Sequence, residues 1–204
     1  MAFNSHAQFF SLAKDINTSA LTESSAPNDM IEIGGTVFFS AYTFNRGREL
    51  WKSDGTPGGT VVVKDINAGS ATSNPQFLTN VNGVLYFVAR DLVHGEELWK
   101  SDGTTAGTVL VKDSYAGDAT SNTRNLTNVN GVLYFVAADG TNGFELWKSD
   151  GTEAGTIVVK DINAGGFSSN PQFLTNVNGV LYFTATDGTN GVELWKAMAQ
   201  RQVP

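Results

Sequence analysis

The sequence predicts an all-β fold and, within that class, a β-propeller of four-stranded antiparallel blades with four 48-residue repeats per chain. Three observations lead there. The four tryptophans, Trp51, Trp99, Trp147 and Trp195, stand 48 residues apart, and a period of that size marks a solenoid, propeller or array. Each unit holds four short strand candidates and no run with helical spacing. Apolar residues in VLYFVA and TVLV do not alternate with polar ones, so both faces of each sheet are expected to be buried, which needs a neighbouring sheet on either side.

In the second repeat the strands are expected at Gln76 to Asn82, Val84 to Ala89, Glu96 to Ser101 and Thr108 to Asp113. Asn82-Gly83 joins the first two, because both residues tolerate the positive φ of a type I′ turn. Asn130-Gly131 and Asn178-Gly179 repeat that turn, and Gly34-Gly35 fills the place in the first copy. The third and fourth strands are joined by Asp-Gly-Thr-x-x-Gly. There Asp102 can accept hydrogen bonds from turn amides, and Gly103 and Gly107 can take left-handed geometry. Two copies are identical over a long window, Ser73 to Phe87 and Ser169 to Phe183 both reading SNPQFLTNVNGVLYF.

The repeat phase divides the chain into a closing strand (1–17), blade 1 (18–66), blade 2 (67–114), blade 3 (115–162), blade 4 (163–196) and a tail (197–204). Blade 1 departs from the others, running 50 residues from Asp15 to Asp65 and reading TESSAPNDMIEIGGTVFFSA. Blade 4 stops after Glu193-Leu194-Trp195-Lys196, where Ala197 and Met198 replace the Ser-Asp of the turn, so it lacks its outer strand. The missing strand has a counterpart at the other end: Gln8 to Asn17, QFFSLAKDIN, matches VVVKDIN, VLVKDSY and IVVKDIN. An unpaired edge and an orphan strand are expected to join, since each otherwise leaves backbone groups unsatisfied. Joined within one chain, this Velcro closure makes a four-bladed monomer; joined between chains, it makes an eight-bladed homodimer. Four blades diverge by about 90° and eight by about 45°, the latter nearer the aligned packing of about 30° that twisted sheets adopt. The dimer is therefore the preferred expectation, with twofold closure.

Composition excludes several roles. With 13 Lys and Arg against 20 Asp and Glu, the net charge of −7 opposes nucleic acid and anionic membrane surfaces. There is no cysteine, hence no disulfide, thiol chemistry or Cys-ligated zinc. No stretch nears the roughly 18 apolar residues of a membrane span, and MAFNSHAQFFSLAKD lacks the pattern of an export signal. His6 and His94 are the only histidines, too few for a histidine metal site. No G-x-S-x-G, GxGxxG, Walker A or HExxH is present. Each DGT turn, at Asp54, Asp102 and Asp150, offers one carboxylate where calcium wants six to eight oxygens, so a turn cap is the better reading. Asp139 to Gly143 and Asp187 to Gly191 read as hairpin loops on the same grounds. Glu49, Glu97, Glu145 and Glu193 read as partly buried acceptors tying neighbouring blades through backbone amides, and the tryptophans as blade-to-blade packing. No cofactor, no metal and no catalytic residue are expected.

ELWKSDGT at Glu49 to Thr56, Glu97 to Thr104 and Glu145 to Thr152 resembles the ELWxxDGT repeat family of bacterial proteins. The VKDIN and LTNVNGVLYF segments extend the resemblance from Lys14 to Lys196. It implies a propeller, a secreted or surface location, and no particular activity.

The four repeats differ most on one face. The Asn-Gly and DGT turns open on the uniform side; on the opposite side the loops read YTFNRGRE, ARDLVHGEE, AADGTNGFE and TATDGTNGVE. Arg46, Arg48, Arg90, His94, Tyr115 and Arg124 bring positive charge and an aromatic ring to that side of an acidic protein, a composition that binding surfaces favour. The expected function is a non-enzymatic interaction module binding a protein or glycan through this variable face. The alternative is a multivalent lectin with one shallow site per blade.

Overall fold

The computed structural model describes residues 11–18 and 24–198. Within them the chain is all-β. Blade 1 is β1 (Asn28–Ile33), β2 (Thr36–Thr43), β3 (Gly47–Ser53) and β4 (Val61–Lys64); blade 2 is β5 (Gln76–Val81), β6 (Val84–Asp91), β7 (Gly95–Ser101) and β8 (Val109–Lys112). Blade 3 is β9 (Arg124–Val129), β10 (Val132–Ala138), β11 (Phe144–Ser149) and β12 (Ile157–Lys160). Blade 4 has only β13 (Gln172–Val177), β14 (Val180–Thr186) and β15 (Val192–Met198). Every sheet is an antiparallel meander in sequence order, three of four strands and one of three. The expected strand bounds hold to within two residues, and Ala197 and Met198 belong to β15 rather than to a tail.

Local chemistry accounts for the turns. Asn82 and Gly83 both have positive φ, as a type I′ hairpin requires. In the DGT turn the Asp102 carboxylate accepts from the Thr104 amide at 2.8 Å and its hydroxyl at 2.7 Å, and the Thr104 hydroxyl accepts from Gly107 N at 2.9 Å. Gly103 is left-handed as expected, with φ of 87°. Gly107 is not, and glycine is needed there for another reason: a Cβ would run into the Asp102 carboxylate.

The core lies between blades rather than within them. Phe38, Leu50 and Val63 of blade 1 pack on Leu85, Phe87, Ala89 and Trp99 of blade 2, and the same set recurs between blades 2 and 3 and between 3 and 4. Burying large side chains on both faces of every sheet is what the unbroken apolar runs require. Polar rivets cross the same seams. Lys52 Nζ donates to the Gly103 carbonyl and Lys100 Nζ to that of Gly151, each at 2.8 Å; Lys64 Nζ reaches the Thr108 carbonyl at 2.8 Å.

The repeated glutamates hold the chain as it passes from blade to blade. Glu49 accepts from Ile66 N at 2.9 Å, Ser73 N at 3.0 Å and the Ser73 hydroxyl at 2.6 Å. Glu97 accepts from Ser114 N and Tyr115 N, and Glu145 from Ile162 N and Ser169 N. All three are fully buried. Burial outweighs the hydrogen bonds and pushes the carboxyls of Glu49 and Glu97 up to about 7, with Glu145 raised in the same direction.

The two ends of the array differ from its middle. Leu50, Leu98 and Leu146 are 0%, 0% and 1% exposed, whereas Leu194, their equivalent in β15, is 71% exposed. Val177 likewise stands open where Val81 and Val129 are buried. Blade 4 thus has no blade packed on its far face among the described residues, and no strand pairs with the outer edge of β15. Of the closing strand expected at Gln8 to Asn17, residues 8–10 lie outside the described residues, and 11–17 are not paired into a sheet. They lie against blade 1. Ile16 packs on Phe39, Ala41 and Trp51, and Lys14 Nζ donates to the Thr60 carbonyl at 2.8 Å.

Candidate functional site

The first strands of the blades, β1, β5, β9 and β13, contact one another from blade to blade and so line the axis of the array. Each carries the same irregularity. The register with the second strand slips after its first residue, and the next residue adopts positive φ: Asp29, Phe77, Asn125 and Phe173, between 50° and 58°. Left-handed backbone is uncommon for any of these and an outlier for phenylalanine; such strain persists only where packing over-determines it, and it gathers at functional sites.

Between β9 and β13 this geometry opens a cleft of about 470 Å³ lined by Arg124, Asn125, Thr127, Gln172 and Phe173 among others. No carboxylate lines it. Phe173 is 74% exposed. Arg124 is half-buried, its guanidinium 4.3 Å from the Phe144 ring centroid, and among the described residues it hydrogen-bonds from Nη1 to the Asn122 carbonyl at 3.2 Å. Burial lowers its pKa from the usual arginine value, yet an arginine stays charged in a protein.

The other five residues singled out from sequence do not join this cleft. Arg48 is tied internally, its Nη1 donating to Ala26 O at 2.9 Å and Ser40 Oγ at 3.2 Å. Arg46 pairs with Asp65 at 3.6 Å, and Arg90 lies opposite Glu96 in the β6–β7 register. His94 Nδ1 meets the Asp91 carboxylate at 2.8 Å, an interaction that raises the imidazole's pKa and holds that of Asp91 down. Tyr115 packs over Gly140 of the β10–β11 loop. These are separate loop contacts, each around its own blade.

Asn125, Gln172 and Phe173 escaped the sequence reading. One signal pointed to them: over the window where blades 2 and 4 are identical, blade 3 differs at three consecutive positions, Thr123, Arg124 and Asn125 replacing Pro-Gln-Phe. The substitution falls on the bulge.

The DGT carboxylates are turn caps, engaged with threonine amides and hydroxyls in every complete blade. Among the described residues no three His, Cys, Asp or Glu side chains converge in a way that could hold a metal ion.

No protein-family model matches the sequence, and no curated protein matches it. Solved structures do resemble the fold. One is the Bacteroides ovatus xyloglucan PUL GH43B, at 13% identity and a TM-score of 0.45, over 86% of this chain and 39% of that one. Another is an endo-1,4-beta-xylanase from Bacteroides thetaiotaomicron VPI-5482, at 13% identity and a TM-score of 0.35, over 85% and 67%. A third is a GH43 glycoside hydrolase engineered to display endo-xylanase and exo-arabinofuranosidase activity, at 15% identity and a TM-score of 0.35, over 82% and 37%. The chain thus spans about two-fifths of the first of these. The expectation of a non-enzymatic interaction module, with its lectin alternative, is corrected here: the chains that the fold resembles are a GH43 protein, an endo-xylanase and a GH43 glycoside hydrolase. What those enzymes act on is a property of those enzymes.

Proposed function

We propose that this chain functions as one half of a self-assembling eight-bladed ring. Residues 11–17 of each copy form the fourth strand of blade 4 in the other. The observation that carries this is the seating of residues 14–16. Ile16 lies on Phe39, Ala41 and Trp51 as Ile66 lies on Phe87, Ala89 and Trp99, and Lys14 reaches Thr60 as Lys64 reaches Thr108. The segment therefore occupies the place that the outer strand of a preceding blade takes on its successor.

The complementary vacancy is at the other end. A cleft of about 90 Å³ lined by Leu146, Val159, Trp195 and Ala197 opens beside β15, where a fourth strand would lie. The exposed Leu194 and Val177 present an apolar face, and blade 1 offers a second one around Leu12, Met30, Val37 and Phe39. Mating the two removes both from water and pairs the edge of β15, the two demands that an open propeller leaves unmet. The same junction made twice closes a ring of two copies.

Light scattering tests the proposal. The expected mass is twice the 21.7 kDa of the chain. Leu194→Asp should reduce it to a single chain while leaving the β-sheet circular dichroism intact, because that side chain is solvent-exposed within one copy. Deleting residues 1–17 should have the same effect on mass and lower the melting temperature. A wild-type mass of one chain at every concentration from about 1 to 100 µM, or a Leu194→Asp variant that stays paired, overturns it.

A further inference from the structure

We propose that the axial cleft between β9 and β13 binds a small ligand that carries a carboxylate beside a flat apolar ring face, the chemistry shared by a hexuronic acid and an aromatic carboxylate. The site is complete within one copy, so the inference stands whether or not two copies close a ring.

The comparison between two arginines carries the argument. Arg48 of blade 1 has its guanidinium taken up by backbone and side-chain oxygens, with Ala26, Asn28 and Ser40 all accepting from Nη1. Its role is accounted for by the fold. Arg124 has the Asn122 carbonyl alone, also on Nη1, and no carboxylate within ion-pair distance among the described residues. A half-buried guanidinium carries five N–H donors in a planar fork, and Nε and Nη2 have no acceptor here. In a chain of net charge −7, a cation on the wall of a cleft whose Nε and Nη2 have no protein acceptor is matched to a planar anion that accepts in bidentate fashion.

The rest of the cleft narrows the class. Phe144 backs the guanidinium at 4.3 Å, fixing its plane and covering one of its faces. Across the cleft Phe173 is 74% exposed and held in left-handed backbone at φ 56°, a conformation that costs free energy to maintain. Its ring offers a flat apolar surface. Asn125, Thr127 and Gln172 add neutral donors and acceptors around the rim, suited to hydroxyls. In the other bulges the residue before the positive-φ position is neutral, Asn28, Gln76 or Gln172, and only blade 3 places an arginine there. The site is therefore expected once per chain.

The test uses nuclear magnetic resonance titration of the intact protein with glucuronate, benzoate and glucose. Both carboxylates, or one of them, should shift the Arg124 Nε resonance and the Phe173 ring signals, with saturation in the millimolar range or below; glucose should not. Which carboxylate binds tighter separates the sugar from the aromatic source. Arg124→Gln, which installs the residue that blades 2 and 4 already carry, should weaken binding at least about tenfold with an unchanged melting temperature. The inference is overturned if neither carboxylate moves these resonances up to about 10 mM. It is equally overturned if glucose binds as well as glucuronate, or if Arg124→Gln binds undiminished.

Discussion

Leu98 and Leu194 occupy the same position of the same ELWK segment, and their fates are opposite: one is fully buried between blades 2 and 3, the other 71% exposed on the free face of blade 4. Their strands pair in the same register with the strand before them, Leu98 opposite Val88 and Leu194 opposite Thr184. The difference teaches that in a stacked array a residue's energetic weight is set by the neighbouring blade and not by its own. Glu97 and Glu193 make the same point for charge, since the first is buried under two linker amides that the chain reaches only on leaving a completed blade, and the second is exposed.

The sharpest way to break the comparison is truncation at both positions. Leu98→Ala should destabilise the protein by about 3 kcal/mol, the usual cost of a cavity in a packed core, read as a lower denaturation midpoint in urea. Leu194→Ala should cost less than about 0.5 kcal/mol if the free face stays in water. If a second copy covers that face, the Leu194 variant should instead approach the Leu98 variant and make the midpoint depend on protein concentration.

A smaller effect follows from the buried glutamates. Their carboxyls are raised in the folded state, to about 7 for Glu49 and Glu97, so the native form prefers the proton more than the unfolded chain does. Stability from these groups is then complete below the unfolded value near 4.5 and is lost as pH rises through about 7. Each group contributes of the order of 1 to 3 kcal/mol to that loss. Melting temperature should fall between pH 5 and pH 8. Glu97→Gln should flatten the dependence; a stability that rises over this interval would contradict the sign.

The smallest expected effect lies in the turns. Asp102→Ala removes the acceptor for the Thr104 amide and hydroxyl and should cost about 1 kcal/mol, measured by the same urea midpoint. Added calcium should not shift the wild-type midpoint, since the Asp102 carboxylate is engaged by the turn itself.

Where the sequence was legible, the signals were contiguous. Asn82-Gly83 dictates a hairpin because those two residues alone supply its positive φ, and the spacing of the tryptophans counts the blades. Gly107 was half legible: glycine was required, but for the approach of the Asp102 carboxylate and not for its own φ. The axial site was scarcely legible. Arg124 was picked out for its charge, together with five residues that sit in unrelated loop contacts, while Phe173 looked like an ordinary strand residue. A left-handed phenylalanine in an inner strand has no propensity signature, since the bulge is imposed by the register of β13 against β14 and by the packing around it.

The sequence by itself determined the blade, its turns, the carboxylate that repeats with it and the number of copies in the chain, because each of these rests on residues close together and on a period that recurs. Only the tertiary structure decided which copies of identical residues are buried, that residues 14–16 sit on blade 1, and that Arg124 and Phe173 face one cleft. Those outcomes depend on which blades stand side by side, and the identical sequence at Leu98 and Leu194 carries no trace of whether a neighbour is present.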